Sequence, residues 1–277
     1  MTTERKLFNE NGFLLKKNFF DAHQVTTIRT NAQKLFKNQF INVGLLSKAV
    51  AEELSEEQFN LVFFDFFEKY PERVITTGKH VQHMIDLHRL SLDKKIEDYL
   101  KMLGLNFPNV CTRPMLFFNA KKLAKKQVYW KTDPHQDWRS MQGSLNATVV
   151  WLPLMDIDVS LGALEVVAKS HLLGLNTTDF QDGFGTISEA EAEKHTWESV
   201  EVEAGDVLFF SAMLFHRSGN NSTENGIRWS CHFRYNDMTE QKFIDRGYPH
   251  PYVYYPDPKL ITPDFPTVQE VSKVYES

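Results

Sequence analysis

The stretch EAGDVLFFSAMLFHRS, residues 203–218, contains the strand on which the fold prediction rests. Its turn, Ala204-Gly205-Asp206, leads into the apolar run of residues 207–210, which is typical of a buried strand. His216 follows this run and precedes a polar turn at residues 218–221. We expect a histidine in that position to lie at the mouth of a barrel, where its side chain is available for chemistry.

Short apolar runs of the same kind fill most of the chain after residue 105. The predicted strands cover residues 110–118, 128–130, 147–152, 163–167, 200–203, 207–210 and 227–235. Several short strands separated by turn residues predict a sandwich or barrel rather than βαβ units.

The first hundred residues have the apolar spacing of helices instead. The predicted helices cover residues 21–36, 55–67, 74–90 and 93–103, with Asp21 as an N-cap, Ser55–Gln58 as a capping box and Gly104 as a C-cap. The pattern changes near residue 105 without a linker. We therefore expect a single domain over residues 1–277, mostly helical over 1–104, with a β core over 105–240 and a covering tail over 241–277.

Composition and charge limit the class of protein. The 277 residues are 42% hydrophobic and 24% charged, as in globular proteins, and the net charge of -5 argues against a nucleic-acid surface. Cys111 and Cys231 cannot form a disulfide framework, so we expect a reducing, cytoplasmic location. No apolar run reaches the roughly 18 residues of a membrane span. The oligomeric state is left open.

His135 is the one histidine among ten that has an acidic residue two positions later, Asp137. On an extended segment, these two side chains point to the same side. Two histidines and one carboxylate are the ligands of non-haem Fe(II) oxygenases, in which they leave other metal positions open. We predict that His216 is the third ligand.

Arg228 and Ser230 follow His216 on a predicted strand, where residues two apart share a face. A guanidinium group binds a carboxylate through two hydrogen bonds, and a hydroxyl group adds another. This pair therefore predicts a site for an acidic co-substrate beside the metal.

Several motifs of the chain resemble those of the phytanoyl-CoA dioxygenase family. They are NGFLL at 11–15, HQDW at 135–138, MQGSL at 141–145, VVWLPL at 149–154, GALEVV at 162–167, SH at 170–171 and GDVLFF at 205–210. The resemblance covers residues 8–240. It implies a mainly β protein with α-helices, in which N-terminal helices flank a double-stranded β-helix (a jelly-roll, cupin-like core).

The resemblance also implies a set of site residues. The implied Fe(II) ligands are His135, Asp137 and His216, and the implied 2-oxoglutarate pocket contains Arg228, Ser218, Ser230, Trp151 and Gln136. Arg228 would hold the distal carboxylate, and either serine could supply the hydroxyl contact. A further co-substrate contact from an earlier strand is expected near Thr112 and Arg113, without a choice between them.

The implied reaction is hydroxylation of a small molecule that depends on Fe(II), 2-oxoglutarate and O2 and releases succinate and CO2. Asp137 fills the position that related halogenases leave to chloride, which favours hydroxylation over halogenation. Two alternatives are open: the same iron chemistry giving desaturation, epimerisation or ring formation, and a non-catalytic jelly-roll protein that binds a ligand. The intact ligand set counts against the latter. The substrate is unidentified. Arg139, Arg217 and Arg234 near the ligands are explained equally well by an anionic substrate and by ion pairs with the many acidic residues.

Overall fold

The computed structural model describes residues 2–124, 132–176 and 185–249. Its helices are α1 (Thr3–Asn11), α2 (Ala22–Asn42), α3 (Lys48–Glu52), α4 (Glu56–Lys69), α5 (Pro71–Val81), α6 (Ile85–Ser91), α7 (Lys94–Leu103), α8 (Lys121–Ala124), α9 (Trp138–Met141), α10 (Glu189–Ala192) and α11 (Gln241–Asp245). A 3₁₀ turn covers Ser170–Leu173.

Two antiparallel sheets form the β core. The strands are β1 (Phe13–Lys16), β2 (Pro108–Val110), β3 (Met115–Asn119), β4 (Thr148–Pro153), β5 (Leu164–Val166), β6 (Glu198–Val200), β7 (Val207–Ser211), β8 (His216–Ser218) and β9 (Arg228–Asp237). The large sheet has the order β1-β7-β4-β9-β2, with β3 also paired to β9, and the small sheet has the order β6-β5-β8. The prediction of a jelly-roll core flanked by N-terminal helices is confirmed.

The capping residues place the N-terminal helices as the sequence predicts. The Asp21 side chain accepts hydrogen bonds from the amides of the first turn of α2, and Ser55 and Gln58 form a reciprocal capping box at α4. Asp93 caps α7, which ends at Gly104 with a φ of 121°. A positive φ is costly for any residue with a Cβ atom, so this glycine terminates the helix.

The prediction of a single helix over residues 74–90 is wrong, because the structure divides this segment into α5 and α6. At the break, the amide of His83 bonds to the carbonyl of His80, and the amide of Met84 bonds to the carbonyl of Val81. These hydrogen bonds join residues three positions apart instead of four, so they turn the chain out of the α-helical path. Apolar periodicity continues across the break, which is why the sequence pattern does not reveal it.

The strand prediction also differs from the structure in places. The run 110–118 divides into β2 and β3, because the chain bends at Thr112 and Pro114 has no amide hydrogen to donate to a ladder. Strand β6 lies at 198–200, while Val202 forms only an isolated bridge with Ile157. Helix α1 and strands β1 and β8 were missed. The run 128–130 lies outside the described residues.

Two apolar cores lie on opposite faces of the large sheet. The helix-side core packs the N-terminal helices against the sheet, and the inter-sheet core lies between the two sheets. In β7, Val207 and Phe209 enter the first core, whereas Leu208 and Phe210 enter the second. This alternation is the pleat of a strand that is buried on both faces.

Aromatic rings hold the helices on the sheet. The ring centroid of Phe36 in α2 lies 5.0 Å from that of Phe63 in α4, 5.6 Å from that of Phe118 in β3 and 6.2 Å from that of Trp229 in β9, each close to edge-on. Such pairs contribute about 0.5–1.5 kcal/mol each beyond the burial of their area. The helical layer therefore stabilises the outer face of the large sheet. The inner face of the sheet is available for a functional site.

The organisation as one domain with a covering tail stays a prediction. Residues 250–277, which make up most of the predicted tail, lie outside the described part of the chain. Among the described helices, none combines the length and apolar character that crossing a membrane requires.

Asp237 ties the end of β9 to two neighbouring loops. Its carboxylate accepts hydrogen bonds from the amides of Asn106 and Phe107 at 2.9 and 3.0 Å, and from the Asn146 side chain at 3.0 Å. Burial acts to raise the pKa of this carboxyl group, but hydrogen bonds from Thr239 and from the two backbone amides outweigh it and lower the pKa to about 2.

We expect Asp237→Asn to reduce the free energy of unfolding at neutral pH by about 2 kcal/mol. Because the folded-state pKa lies below the unfolded value, the contribution is complete above about pH 4 and is lost as the pH falls towards 2. Urea unfolding between pH 7 and 3 measures this, with the exposed Asp65→Asn as control. A stability gap between wild type and Asp237→Asn that did not narrow on acidification would contradict the assignment.

Candidate active site

The two histidines of the predicted metal site face each other across an isolated β-bridge. The His135 amide donates to the His216 carbonyl at 3.0 Å, and the His216 amide donates to the His135 carbonyl at 3.1 Å. The Ser218 amide donates to the Thr132 carbonyl at 3.0 Å, so residues 132–135 run along β8. The two imidazole rings lie with their centroids 4.1 Å apart.

Asp137 reaches the same point by a turn rather than by strand alternation. Its φ of -65° and ψ of -26° are helical, and α9 begins at the next residue, so the predicted extended geometry is wrong here. The Trp138 amide donates to the Ala212 carbonyl at 2.9 Å, which fixes the turn just beyond β7. The ligand atoms of His135, Asp137 and His216 nevertheless converge, all within 4.8 Å of one another.

Backbone carbonyl groups orient both imidazole rings. Nδ1 of His135 lies 2.7 Å from the Asp133 carbonyl oxygen, and Nδ1 of His216 lies 3.0 Å from the Leu214 carbonyl oxygen. A carbonyl oxygen can only accept, so each Nδ1 carries the proton and each Nε2 presents a lone pair to the cluster. Nε2 of His135 is 3.8 Å from Oδ1 of Asp137, and Nε2 of His216 is 3.7 Å from Oδ2.

Burial sets the charge of the cluster. It lowers the pKa of both His135 and His216, which keeps their rings neutral and able to bind a metal. Burial also acts to raise the pKa of Asp137, but the charge of the Arg234 guanidinium and the smaller effects of the neighbouring histidines together outweigh it and hold that pKa well below the usual range. The site thus offers two neutral nitrogen ligands and one carboxylate.

Strand β9 lines this site with every second residue. Trp229, Cys231 and Phe233 pack in the helix-side core. The alternating positions carry polar side chains, namely Arg228, Ser230, His232 and Arg234. The pleat therefore turns all four toward the opposite face of the sheet.

Arg228 is a buried cation without an acidic partner. Its side chain is 1% exposed, and none of the ion pairs among the described residues includes it. One Nη donates to the Gly162 carbonyl and the other to Oγ of Ser218 at 3.2 Å, while Nε has no hydrogen-bond partner among the described residues. Burial lowers the pKa of Arg228 to about 10, so the group stays charged at neutral pH.

Both candidate serines lie close to Arg228. Ser218 contacts the guanidinium group directly and also accepts a bond from the Thr132 amide at 3.3 Å. Ser230 is 1% exposed, and its Oγ has no hydrogen-bond partner in the part of the chain that the structure describes. Ser218 therefore orients the arginine, whereas Ser230 retains an unsatisfied hydroxyl group for a ligand.

Trp151 and Gln136 occupy different surroundings. Trp151 lies in the inter-sheet core, in register with His232 of β9. Gln136 is fully buried and uses its amide on the backbone, donating to the Gly174 and Met213 carbonyls at 2.7 Å each and accepting from the Asn176 amide at 2.7 Å. The structure thus does not place Gln136 in the predicted pocket as an available polar group.

The earlier strand contact stays unassigned between two residues. Oγ of Thr112 is buried and finds no hydrogen-bond partner within residues 2–124, 132–176 and 185–249, whereas Nε of Arg113 donates to Gln82 at 3.1 Å. Of the three arginines near the ligands, Arg217 pairs with Glu165 at 2.5 Å and stacks on the Trp197 ring at 4.3 Å. It therefore faces away from the cluster.

Sequence reasoning named Arg234 only as a nearby charge and did not identify His232 at all. Arg234 donates to Oδ1 of Asp137 at 2.7 Å, and burial lowers the pKa of His232 to about 3, where the ring is neutral. Polar residues at every second position of an otherwise apolar strand were the available signal.

The donor set of the cluster fits a divalent iron ion. Two imidazole nitrogens and a carboxylate on one side of an ion leave its other positions open. The unpartnered polar atoms of Arg228 and Ser230 fit an organic anion beside that ion.

Comparison with known proteins agrees with this geometry. The model of the family described as phytanoyl-CoA dioxygenase (PhyH) matches residues 8–229. The chain belongs to this family. The peroxisomal phytanoyl-CoA dioxygenase of Homo sapiens is 24% identical over 241 residues, which cover 83% of this chain and 67% of the human protein. That of Rattus norvegicus is 24% identical over 245 residues, which cover 84% and 68% of the two chains.

Solved structures support the fold. The epimerase SnoN, crystallised with Fe3+, alpha ketoglutarate and nogalamycin RO, aligns with a TM-score of 0.58 at 20% identity, covering 85% of this chain and 83% of its own. The carbocyclase SnoK from nogalamycin biosynthesis aligns with a TM-score of 0.57 at 15% identity, covering 92% and 94%. Membership of the PhyH family and the His–Asp–His cluster place this chain among the Fe(II)- and 2-oxoglutarate-dependent oxygenases.

We expect His216→Ala and Asp137→Ala to weaken the affinity for Fe(II) or Co(II) by at least about 100-fold, because each removes a ligand rather than a residue that orients one. Anaerobic calorimetric titration of the metal-free protein measures this, with the exposed His80→Ala as control. Retention of tight, stoichiometric binding by a folded His216→Ala protein would rule out the predicted ligand set.

Proposed function

We propose that this PhyH-family protein is an Fe(II)- and 2-oxoglutarate-dependent dioxygenase that hydroxylates a small molecule. The buried Arg228 is the observation that carries the co-substrate assignment. A buried cation without a counter-charge is costly, and a bound carboxylate offsets that cost. Ser218 links it to the metal site, since Ser218 bonds Arg228 and lies two residues from His216 on β8.

Each residue of the proposed site has a separate task. His135, Asp137 and His216 hold the metal, and the carbonyls of Asp133 and Leu214 keep both Nε2 atoms directed at it. Arg228 and Ser230 bind and orient the distal carboxylate of 2-oxoglutarate, and Trp151 supplies an apolar wall. Burial of all three ligands excludes bulk water from the reaction.

When bound, Fe(II), 2-oxoglutarate and O2 would supply the oxidising chemistry that adds one oxygen atom to the substrate, with the other oxygen atom in succinate and CO2 as the further product. The presence of Asp137 supports hydroxylation over halogenation, because its carboxylate occupies the position that a halide would need.

Arg139 is buried, and its positive charge contributes to lowering the pKa of both ligand histidines. This charge supports an anionic substrate, and the two buried free cysteines support a reducing, cytoplasmic location.

The product decides between hydroxylation and the other outcomes of the same iron chemistry. An epimerase and a carbocyclase share this fold, so the fold alone does not select the reaction. For any compound that stimulates succinate release, hydroxylation predicts a product that gains one oxygen atom by mass spectrometry. Desaturation or ring formation would remove two hydrogen atoms, and epimerisation would leave the mass unchanged.

We expect Arg228→Ala to weaken 2-oxoglutarate binding to the metal-loaded protein by at least about 2 kcal/mol, or roughly 30-fold, because the ligand carboxylate loses its buried partner. The affinity for the metal should stay unchanged, since Arg228 contacts no metal ligand. Anaerobic titration with 2-oxoglutarate measures the effect, with Arg217→Ala as the matched control. Unchanged 2-oxoglutarate affinity in Arg228→Ala would refute the co-substrate assignment.

A further inference from the structure

Arg234 connects the metal cluster to the large sheet. Its Nη2 donates to Oδ1 of Asp137 at 2.7 Å, between residues that are 97 positions apart in the chain. The backbone of Arg234 is fixed on both sides, since it is in register with Val149 of β4 and its carbonyl accepts the Cys111 amide at 2.9 Å. The side chain is only 13% exposed. The guanidinium group is therefore carried by a rigid element.

The two carboxylate oxygens of Asp137 have different partners. Oδ1 accepts the hydrogen bond from Arg234. Oδ2 accepts no hydrogen bond from the described residues and lies 3.7 Å from Nε2 of His216. Oδ1, which lies 3.8 Å from Nε2 of His135, is thus engaged by Arg234, and Oδ2 is available beside His216.

The three ligands also depend on different parts of the fold. His135 and His216 are fixed by their mutual bridge and by β8 of the small sheet. Asp137 lies on the turn into α9, and its side chain is bonded to β9 of the large sheet through Arg234. The position of the carboxylate relative to the two rings therefore depends on this contact between the turn and β9.

We propose that Arg234 is a positioning residue that makes Asp137 a single-oxygen metal ligand. By holding Oδ1, the guanidinium group prevents the carboxylate from turning both oxygens toward the ion. This leaves three protein ligand atoms on the metal, so that the positions required for two co-substrates stay open. The inference rests on the proposed function, because it presumes a metal at this cluster.

Metal coordination can be measured in this protein without its substrate. We would load wild type, Arg234→Met, Arg234→Lys and Arg217→Met with Co(II), whose visible absorption reports its coordination geometry, and titrate each with 2-oxoglutarate. Arg217 is the matched control because it forms an ion pair with Glu165 on the opposite face of β8. Should the Met variant not fold, Arg234→Gln would replace it.

We expect Arg234→Met to change the Co(II) spectrum and to weaken 2-oxoglutarate binding about 10-fold or more, because a second carboxylate oxygen closes an open position. Arg234→Lys should recover most of the wild-type spectrum and affinity, since its ammonium group can still engage Oδ1. Arg217→Met should match wild type.

A folded Arg234→Met protein with the wild-type spectrum and 2-oxoglutarate affinity would overturn the proposal. So would a Lys variant as impaired as the Met variant with an equal loss of thermal stability, because that result assigns Arg234 a packing role only. Failure of wild type to bind Co(II) would instead overturn the proposed function, so the two failures are distinguishable.

Discussion

The alternation of side chains along β9 fixes both the packing of the helix-side core and the placement of the candidate site. One face of this strand carries Trp229, Cys231 and Phe233 into the helix-side core. The other face carries the polar residues of the candidate site. A shift of one residue in its pairing with β4 would bury charged groups among aromatic rings and remove them from the site. The same burial that stabilises the fold therefore fixes the position of the functional side chains.

The site lies where this strand meets the small sheet. β8 and the segment before α9 bring the two histidines together through paired backbone bonds. β9 contributes Arg228 beside Ser218, and Arg234 beside Asp137. The two candidate histidine ligands and the buried cation are thus held by opposite sheets of one jelly roll. This arrangement accounts for a site that is rigid although several of its residues lie outside long strands or helices.

Local signals made much of the fold predictable. Asp21, Ser55 and Gly104 satisfy backbone groups within a few residues of themselves, so their effect is visible in the sequence. Strands β4 and β7 are apolar enough to be identified alone, and β9 is identified by apolar residues at every second position. Strand β8 has three residues and forms because β5 pairs with it, which no local pattern reveals.

The site was predictable from its motif and less so from its geometry. His135, Asp137 and His216 were named from spacing and resemblance, and they converge, but Asp137 does so from a helical turn. Gln136 sits between two ligands in sequence, yet its amide bonds the backbone at residues 174, 176 and 213. The role of Arg234 depends on a contact across 97 positions of the chain, which only the folded structure brings together.

We propose that one metal ion and 2-oxoglutarate bind together in this site. Anaerobic addition of Fe(II) and then 2-oxoglutarate to the metal-free protein tests it most directly, by the visible metal-to-ligand charge-transfer absorption of the chelate. We expect this band to appear in wild type and to be absent in His216→Ala. Stoichiometric Fe(II) binding without the band would contradict it, because the co-substrate would then not bind the metal.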